Sequence, residues 1–558
     1  MSVSLSEHLP LLAEAPDGIK KLRGLIFELA VRGKLVPQDP NDEPASELLK
    51  RIAAEKARLV AEGTIRQGKP LAEMDEEEKP FELPVGWEWS PLGAIALINP
   101  RNAADDMVEA SFVPMAMINT RFEGSHDQES RKWGEIKQGF THFAEGDIGV
   151  AKITPCFENS KACVFSGLRS CIGAGTTELH IVRPISETLA PRYVLAYLKS
   201  PMFLQVGESK MTGTAGQKRL PKEFVEANPF PLPPLAEQHR VVAKVDELMA
   251  LCDRMEAEQA DAEAAHATLV QTLLGTLTQS GDAAELAANW QRLSQHFDTL
   301  FTTEASLDAL KQTILQLAVM GKLVPQDPKD EPASELLNQI SAEKARLMAE
   351  GKIKQGKPLT PVSDEEKPFE VPVGWKWTRL AELTSILNGR AYSKHELLTS
   401  GTPVLRVGNL FTSNHWYYSD LALEDEKYCD TGDLLYSWSA SFGPFIWPGP
   451  RVIYHYHIWK LGLYDETSLS KEYLYKFLVE KTQEIKASGH GVAMIHMTKE
   501  KMEKVVVPIP PLSEQHRIVA KVDELMALCD SLKADLAESR ARQARLAATL
   551  IESALQAA

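Results

Sequence analysis

The chain has 558 residues, of which 44% are hydrophobic and 25% are charged, a balance typical of a globular protein with about three or four domains. No apolar stretch approaches the roughly 20 residues of a membrane span, and the first residues lack the basic flank and apolar run of a signal peptide, so we expect a cytoplasmic protein. The net charge of −16 argues against a uniformly basic nucleic-acid binder.

The acidic charge is unevenly distributed. Residues 90–229 (block one) contain 15 basic and 15 acidic residues, and residues 378–506 (block two) contain 14 basic and 15 acidic ones. The rest of the chain therefore carries a net charge of −15. Because the acid lies outside the two nearly neutral blocks, the total charge does not exclude DNA binding by either block.

The cysteines are scattered and form no CxxC pair of the kind that binds zinc or performs redox chemistry. We expect buried or half-buried thiols in a reducing compartment. They are Cys156, Cys163, Cys171, Cys252, Cys429 and Cys529.

The first elements along the chain are predicted helices. The segment 19–33 has an apolar helical pattern and ends at Gly33, a natural C-terminal cap. A second amphipathic helix, PASELLKRIAAEKARLVAEG, ends at Gly63, and the polar stretch 64–80 is a predicted linker.

Block one follows and contains short strand-like runs separated by Gly, Asn and Pro turns, together with the helical stretch PRYVLAYLKSPMFLQV. Block two has the same character, with strand-like runs such as TPVLRVGNL, GDLLYSWSA and VIYHYHIWKL and the helical stretch SKEYLYKFLVEKTQEI. Each block is therefore predicted to be a compact α+β domain.

Long helices are predicted after each block, because apolar residues recur in steps of four and three over about five heptads, which favours a coiled-coil seam. His266 and Gln543 fall at equivalent seam positions, where they either fix the register, pair with one another or are simply tolerated. The predicted seam residues are Val241, Val245, Leu248, Cys252, Met255, Gln259, Ala262, His266, Leu269 and Leu273, and Ile518, Val522, Leu525, Cys529, Leu532, Leu536, Ser539, Gln543, Leu546 and Leu550.

An internal repeat organises the chain. Residues 33–89 align without a gap with residues 321–377, and PLPPLAEQHRVVAKVDELMALCD (231–253) recurs as PIPPLSEQHRIVAKVDELMALCD (508–530). Between these segments the two halves diverge almost completely. Simple duplication and drift would not preserve one segment and erase the next, so the framework copies are predicted to meet the same kind of neighbour and the blocks different ones. The segment 281–301 has no counterpart in the first half.

These motifs resemble a known family. The GKLVPQD and PPLxEQxR signatures, each present twice, and the phrases LPVGWEWSPLG, AEGDIGVAKITPCFENSK and GTAGQKRLPKEF are similar to those of type I restriction–modification specificity subunits. The resemblance covers nearly the whole chain. The N-terminal copy of LAVRGKLVPQ departs from the plainest members and suggests a variant with a circularly arranged framework.

The resemblance implies two α+β target-recognition domains in a pseudo-two-fold arrangement, separated by long antiparallel coiled-coil helices. A helix of about 40 residues spans about 60 Å, while one turn of B-DNA is about 34–36 Å, so such helices are long enough to hold two readers about one turn apart. The expected domains are an N-terminal framework (1–83), target-recognition domain 1 (84–230), a central spacer helix (231–280), a central framework (281–371), target-recognition domain 2 (372–507) and a C-terminal spacer helix (508–558).

The resemblance also implies a subunit without catalysis of its own. Each domain would read one half of a split, asymmetric double-stranded DNA site, and the helices would dock two modification subunits that methylate adenine with S-adenosylmethionine. Two restriction subunits would add translocation and cleavage, driven by ATP with Mg²⁺. No cofactor or metal is expected in this chain, which has no GxxxxGK[ST] phosphate loop, no GxGxxG after a strand and no [DN]PP[YF] methyl-transfer motif.

Candidate DNA contacts are polar and basic residues in the predicted loops, because base edges require donors and acceptors and phosphates require Lys or Arg. In block one they are Lys152, Thr154, Asn159, Lys161, Thr176, Thr177, His180, Thr214, Gln217, Lys218 and Arg219. In block two they are Arg390, Tyr392, Arg406, Asn409, Ser439, His490, His496 and Lys499. The aromatic residues Tyr436, Trp438, Tyr456 and Trp459 either line a groove or alternate between the core and the face of strands.

Two other functions are compatible with the pattern. A coiled-coil scaffold would bind only proteins, and its strand-rich inserts would recognise peptides. An autonomous binder of a split DNA site, such as a repressor, is disfavoured by the neutral blocks and the acidic framework, because its affinity would lack the phosphate contribution.

Overall fold

The structure, a computed structural model, describes residues 12–65, 74–122, 125–185, 188–214, 216–353, 359–439, 441–488 and 497–557. The chain divides into two compact units, the first formed by Met1–Ala262 with Ser539–Ala558 and the second by Glu263–Glu538. Each unit combines helices with sheets, and the predicted α+β class is confirmed.

The first unit begins with helices and contains one strand-rich block. Its helices before the first long one are α1 (Gly18–Val31), α2 (Ala45–Ala61), α3 (Leu92–Ile95), α4 (Trp133–Ile136), α5 (Pro191–Leu198), α6 (Pro201–Lys210) and α7 (Lys222–Ala227). Its strands are β1 (Glu88–Pro91), β2 (Ala96–Ile98), β3 (Glu109–Val113), β4 (Glu129–Lys132), β5 (Thr141–Ala144), β6 (Ile148–Ala151), β7 (Ala162–Val164), β8 (Ile172–Gly175), β9 (Leu179–Pro184) and β10 (Pro229–Leu232).

The rest of the chain largely repeats this order, and each of the two long helices contributes residues to both units. The long helix α8 (Leu235–Gln279) is followed by α9 (Ala283–Gln295), α10 (Phe297–Leu300), α11 (Glu304–Val319), α12 (Ala333–Ala349), α13 (Leu380–Leu383), α14 (Val407–Phe411), α15 (Lys471–Ser488), α16 (Lys499–Glu503) and the long helix α17 (Leu512–Ala557). The strands are β11 (Lys376–Arg379), β12 (Thr384–Asn388), β13 (Thr402–Leu405), β14 (Tyr417–Ser419), β15 (Tyr428–Cys429), β16 (Leu434–Ser437), β17 (Gly443–Ile446), β18 (Val452–Tyr454), β19 (Ile458–Leu463) and β20 (Val506–Ile509).

The two blocks have the same topology although their sequences are unrelated. Block one pairs its strands in the orders β2-β9-β6-β7 and β4-β3-β8-β5, and block two in the orders β12-β19-β16-β17 and β14-β13-β18-β15. The antiparallel pair β1–β10 is matched by β11–β20. Every loop of one block therefore has a topological counterpart in the other.

Both four-stranded sheets of a block contribute to one apolar core. In block one, Val113 and Phe143 from one sheet and Ile181 from the other belong to the same buried cluster. The rings of Phe143 and Phe165 stack at 3.7 Å between centroids. The alternating apolar residues of the strands supply these buried side chains. Their burial fixes the strand register, and the register determines which strand ends meet at each edge of the sheets.

The repeated framework helices end as predicted. Gly33 and Gly321 have φ of +67° and +70°, the left-handed conformation that glycine adopts without strain. Lys34 N donates to Leu29 O at 2.8 Å, and Lys322 N donates to Leu317 O at 2.8 Å. A side chain at Gly33 would meet Pro84 at 2.4 Å, so the close approach of the following loop also requires glycine there.

The PPLxEQ signature forms a joint between framework and block. Glu237 accepts hydrogen bonds from Trp87 Nε1 at 2.9 Å and from Gln38 Nε2 at 3.1 Å, both framework groups. The adjacent Gln238 accepts from Ala190 N at 2.8 Å, at the start of α5. The same bonds recur around Glu514 and Gln515, made by Trp375, Gln326 and Ser470. At the start of each long helix, the glutamate side chain therefore binds the framework and the adjacent glutamine side chain binds the block.

The segment 281–301 covers the end of α8. Leu293 and Leu300 are buried in the same cluster as Leu274 and Leu277 of α8. Asn289 Nδ2 donates to Ser280 Oγ at 3.0 Å, just beyond the end of the helix. This segment therefore has a packing role that the sequence comparison of the two halves does not reveal.

The predicted heptad seam is not continuous, because it is interrupted beyond Met255 in α8 and beyond Cys529 in α17. The predicted seam residues that are exposed are Gln259, Ala262, Leu269, Leu532, Ser539, Gln543 and Leu546. Val241, Val245 and Cys252 are buried as predicted, but Leu269 is 51% exposed while the next residue, Val270, is 3% exposed. In α17 the same shift puts Ala547 in the core and leaves Leu546 exposed. An α-helix has 3.6 residues per turn, so a strict seven-residue pattern drifts around it unless the helices supercoil throughout.

Candidate nucleic-acid interface

The candidate loops of block one meet at one edge of its two sheets. β9 runs antiparallel to both β2 and β6, so the edge at which β9 begins is also the edge at which β2 and β6 end. The loop after β6 and the turn between β8 and β9 are joined here, because Lys152 N donates to Glu178 O at 3.0 Å. We name this edge, formed by residues 152–161, 176–178, 212–214 and 216–219, the block-one tip.

The hairpin 212–219 completes the block-one tip. Thr212 and Arg219 exchange two backbone hydrogen bonds of 3.0 and 2.8 Å. Thr154 is buried and ties the hairpin to the loop after β6, since its N–H donates to Lys218 O at 3.1 Å and its Oγ1 accepts from Lys218 N at 3.1 Å. The sequence places these segments about 60 residues apart, and the fold brings them together.

An ion pair crosses the block-one tip. The guanidinium of Arg219 donates two hydrogen bonds of 2.9 Å to the carboxylate of Glu178, and these bonds are the main cause of the lowered pKa of Glu178. The neighbouring candidates Thr214, Gln217 and Lys218 are exposed. Within the part of the chain that the structure describes, no salt bridge involves Lys218. The hairpin therefore presents a cation and amide groups to solvent.

The other block-one candidates divide into exposed and engaged side chains. Asn159 and Thr177 are exposed. Lys161 Nζ donates to Met115 O at 2.7 Å, and Thr176 Oγ1 accepts from Glu178 N at 3.2 Å, so both side chains shape loops. The backbone of Lys152 is paired with that of Glu178 and Leu220, whereas its side chain is half-buried.

His180 lies in the interior of block one. Its Nδ1 lies 3.2 Å from Asn99 Nδ2 and its Nε2 lies 2.8 Å from Leu220 O, so both ring nitrogens are engaged. Burial lowers the pKa of this imidazole, which favours the neutral form. Its geometry is that of a side chain that ties β9 to the end of the hairpin.

In block two, the equivalent edge contains Arg390 and Tyr392. Arg390 Nη2 donates to Glu396 Oε1 at 2.6 Å, and the guanidinium lies 5.3 Å from the centre of the Tyr392 ring. Burial raises the pKa of Tyr392 to about 12. Among the described residues, the buried atoms Arg390 Nη1 and Tyr392 OH have no hydrogen-bond partner.

The remaining block-two candidates are dispersed. Arg406 is exposed, with its guanidinium 5.2 Å from the ring centre of Tyr417, and its N–H donates to Asn409 Oδ1 at 3.1 Å. Asn409 Nδ2 donates to His415 O at 2.7 Å, so this amide shapes a turn. Lys499 is exposed and lies 3.8 Å from Glu503, and Ser439 is half-buried. The predicted contacts His490 and His496 lie outside the described residues.

The segment VIYHYHIWKL, predicted as one strand-like run, is two strands separated by a turn. β18 ends at Tyr454 and β19 begins at Ile458, and Ile458 N donates to His455 O at 2.9 Å across the turn. The turn residues 455–457 are the counterparts of residues 176–178 in block one. We name them the β18–β19 turn.

The aromatic residues around the β18–β19 turn separate by burial. Tyr436 and Trp459 are buried, as the strand interpretation predicts, and Trp438 is half-buried. Tyr456 is instead 39% exposed. Sequence reasoning omitted its neighbours His455 and His457 from the candidate contacts, because no Gly, Pro, Asn or Asp marks the turn that brings them to the edge.

The described residues contain no group of three or more His, Cys, Asp or Glu side chains arranged to hold a metal ion. No described helix is both long and apolar enough to cross a membrane.

Comparison with known proteins identifies the class of these blocks. The profile of the family described as "Type I restriction modification DNA specificity domain" matches residues 372–539, which include block two. The chain is 51% identical to the type I restriction enzyme EcoAI specificity subunit of Escherichia coli over 96% of this chain and 94% of that protein. It is 49% identical to the EcoEI specificity subunit of the same organism, with the same coverage.

The chain therefore belongs to the type I restriction enzyme specificity subunits, which are the non-catalytic DNA-recognition components of type I restriction–modification systems. A chain from a solved structure on complex assembly and conformational transition of the type I R-M system is similar to it, with a TM-score of 0.53 and 21% identity. That alignment covers 85% of this chain and 99% of the solved one, and it supports the fold.

Proposed function

We propose that the two blocks read the two halves of one bipartite, asymmetric DNA site. The observation that carries this proposal is the pairing of one topology with two unrelated sequences between near-identical framework copies. Because the two blocks share one topology, they present equivalent loops. Loops that carry different side chains select different bases. Target-recognition domains of 84–230 and 372–507 follow from this arrangement.

We further propose that the repeated framework and the long helices dock two modification subunits. The preserved joints around Glu237 and Glu514 support two equivalent docking surfaces, because they give both copies the same local geometry. In this proposal the modification subunits methylate adenine at N6 with S-adenosylmethionine, and two restriction subunits use ATP and Mg²⁺ to restrict unmodified DNA. In this proposal, this chain supplies only the recognition of the DNA sequence.

The exposed candidates are the proposed DNA contacts. In block one these are Asn159, Thr177, Thr214, Gln217, Lys218 and Arg219, and in block two Arg406 and Lys499. The neutral charge of each block predicts few phosphate contacts and a modest dependence of affinity on salt for this subunit alone. We propose supporting roles for His180, Thr154 and Asn409, because their side chains hydrogen-bond to the protein backbone.

Methylome sequencing tests the proposal. The chain is expressed with the modification and restriction subunits of its system, and we expect N6-methyladenine at a split motif. Replacing residues 84–230 with the corresponding domain of a relative of different specificity should change one half of the motif, and replacing residues 372–507 should change the other. As a matched control, replacing framework residues 33–83 with the copy 321–371 should leave both halves unchanged.

Four results would contradict the proposal. A continuous motif, or a motif whose two halves both change with a single domain, would rule out independent half-site reading. Tight, site-selective DNA binding by the isolated chain would favour an autonomous DNA binder. Absence of DNA binding by both the chain and the assembled complex would favour a peptide-binding scaffold.

A further inference from the structure

The β18–β19 turn occupies the same topological position as residues 176–178 of block one. In each block this three-residue turn joins the two four-stranded sheets and stands at the edge where the central strands of one sheet begin and end. Block one places Thr176, Thr177 and Glu178 there, whereas block two places His455, Tyr456 and His457. At the central position of the turn, the small hydroxyl side chain of Thr177 therefore corresponds to the aromatic ring of Tyr456.

The backbone of the β18–β19 turn is held by three hydrogen bonds to two neighbouring residues. Tyr456 N donates to Arg390 O at 3.0 Å, and Trp438 Nε1 donates to Tyr456 O at 2.9 Å. Trp438 N donates to His457 O at 3.2 Å. Because neighbouring loops fix this turn, its side chains are presented in one orientation. Binding a partner therefore costs little additional conformational entropy.

The ring of Tyr456 is flanked by three other aromatic rings and remains partly exposed. Its centroid lies 3.9 Å from that of His457, 4.6 Å from that of His455 and 6.0 Å from that of Trp438. Its hydroxyl has no hydrogen bond to a described residue, and 39% of the residue is exposed. An aromatic ring that is packed against other rings and partly exposed at a loop edge is suited to contact a partner, because aromatic side chains are enriched at interfaces.

The surroundings suit the edge of a neutral base pair. Burial and the neighbouring His457 and Arg406 lower the pKa of His455 to about 4, so this imidazole is neutral near pH 7. Arg406, exposed on the loop after β13, supplies a cation near His455. An aromatic ring beside a neutral imidazole, with a cation nearby, suits a methyl-bearing base edge beside a phosphate.

We propose that Tyr456 is a specificity-determining residue of block two, which contacts the C5-methyl edge of a thymine in the half-site that this block reads. The inference rests on the proposed function and names the turn through which it is carried out. Thr177 is the corresponding position of block one, and its difference from Tyr456 contributes to the asymmetry of the site.

Methylome sequencing of Tyr456→Ala tests this role, because the half of the motif read by block one serves as an internal control. We expect one A·T position in the block-two half to become degenerate, with discrimination at that position reduced roughly tenfold, while the other half stays intact. Replacing that thymine with uracil should weaken binding of the wild-type complex by a similar factor and have no effect on the Tyr456→Ala complex. Tyr456→Phe, which keeps the ring, should retain the wild-type motif.

Trp290→Ala is the matched control, since Trp290 is also a 39% exposed aromatic residue of the second unit but lies in α9; it should leave the motif unchanged. An unchanged motif for Tyr456→Ala overturns this inference and leaves the proposed function standing, whereas a wild-type motif that is not split overturns the proposed function itself. If Tyr456→Ala abolishes all methylation, the inference survives only when Tyr456→Phe restores the motif; failure of that variant assigns the ring a purely structural role.

Discussion

The indole Nε1 of Trp87 donates a hydrogen bond of 2.9 Å to Oε2 of Glu237, although 150 residues separate them. The bond closes block one at its base, because Trp87 precedes the first strand of the block and Glu237 follows the last one. Trp375 and Glu514 make the same bond at 3.0 Å around block two. The signature residues of the repeat are thus the two sides of one joint, which explains why they recur together.

Replacing Glu237 with Ala should destabilise the first unit by about 1–3 kcal/mol. The substitution leaves the buried donor Trp87 Nε1 without its acceptor, and an unsatisfied buried donor costs about 1–3 kcal/mol, whereas the exposed Gln38 still donates to Gly33 O. Chemical denaturation followed by circular dichroism measures the change. Glu247→Ala, in the same helix but at an exposed position, should stay within about 0.5 kcal/mol of wild type; equal losses for both variants would contradict a specific joint.

The stability of the protein should fall between about pH 4.5 and pH 7 because of Glu480. Burial, with the adjacent Glu484, raises the pKa of Glu480 from its ordinary 4.5 to about 7. In this window the folded state binds more protons than the unfolded state, so the free energy of unfolding decreases as pH rises and the contribution is lost above about pH 7. After discounting for partial exposure, the effect is about 2 kcal/mol.

Melting temperatures of wild type and Glu480→Gln at pH 5 and pH 8 measure this effect. The amide cannot ionise, so the variant should lose less stability between the two pH values than wild type does. Glu472→Gln, at an exposed position at the start of the same helix, should follow the wild-type profile. Parallel profiles for wild type and Glu480→Gln would show that Glu480 does not titrate in this range.

The sequence predicted the order of the elements better than their junctions. The glycine caps at Gly33 and Gly321 were predictable because the left-handed conformation at a helix end is a local property of one residue type. The β18–β19 turn was not, because YHYHIW alternates like a strand and contains no turn-forming residue. The bend is imposed from outside, by the backbone of Arg390 and the indole of Trp438, and no local pattern encodes those contacts.

The candidate site was predicted as separate loops and emerges as one edge only in block one. The hairpin 212–219 reaches the loop after β6 through Thr154, and this pairing depends on a contact between segments distant in sequence. His180 illustrates the converse limit. A polar residue at the start of a strand has the same sequence signature whether it faces solvent or, like His180, donates one interior hydrogen bond and accepts another, and only the register against β6 and β2 distinguishes the two.

Replacing Lys218 with Ala should weaken binding of the assembled complex to DNA without altering the methylated motif. An exposed lysine at the tip of the hairpin is suited to a phosphate contact, which carries no sequence information. The slope of log affinity against log salt should decrease in magnitude by about 0.9, the value for one phosphate neutralised. Fluorescence anisotropy between 50 and 200 mM salt measures it, and Lys244→Ala, on the framework side of the joint, serves as the control. A changed motif with an unchanged salt slope would make Lys218 a base contact.

The shifted seam of α8 predicts opposite results for two adjacent substitutions. Val270 is buried against the cluster that contains Leu293, so Val270→Ala should cost about 2 kcal/mol through lost burial and the cavity that remains. Leu269→Ala should stay within about 0.5 kcal/mol, because half of that side chain already faces solvent. A strict heptad would reverse this order, since it assigns Leu269 to the seam and Val270 to the surface. Thermal denaturation of the two variants distinguishes the registers, and a larger loss for Leu269→Ala would mean that the seven-residue pattern continues to the end of the helix.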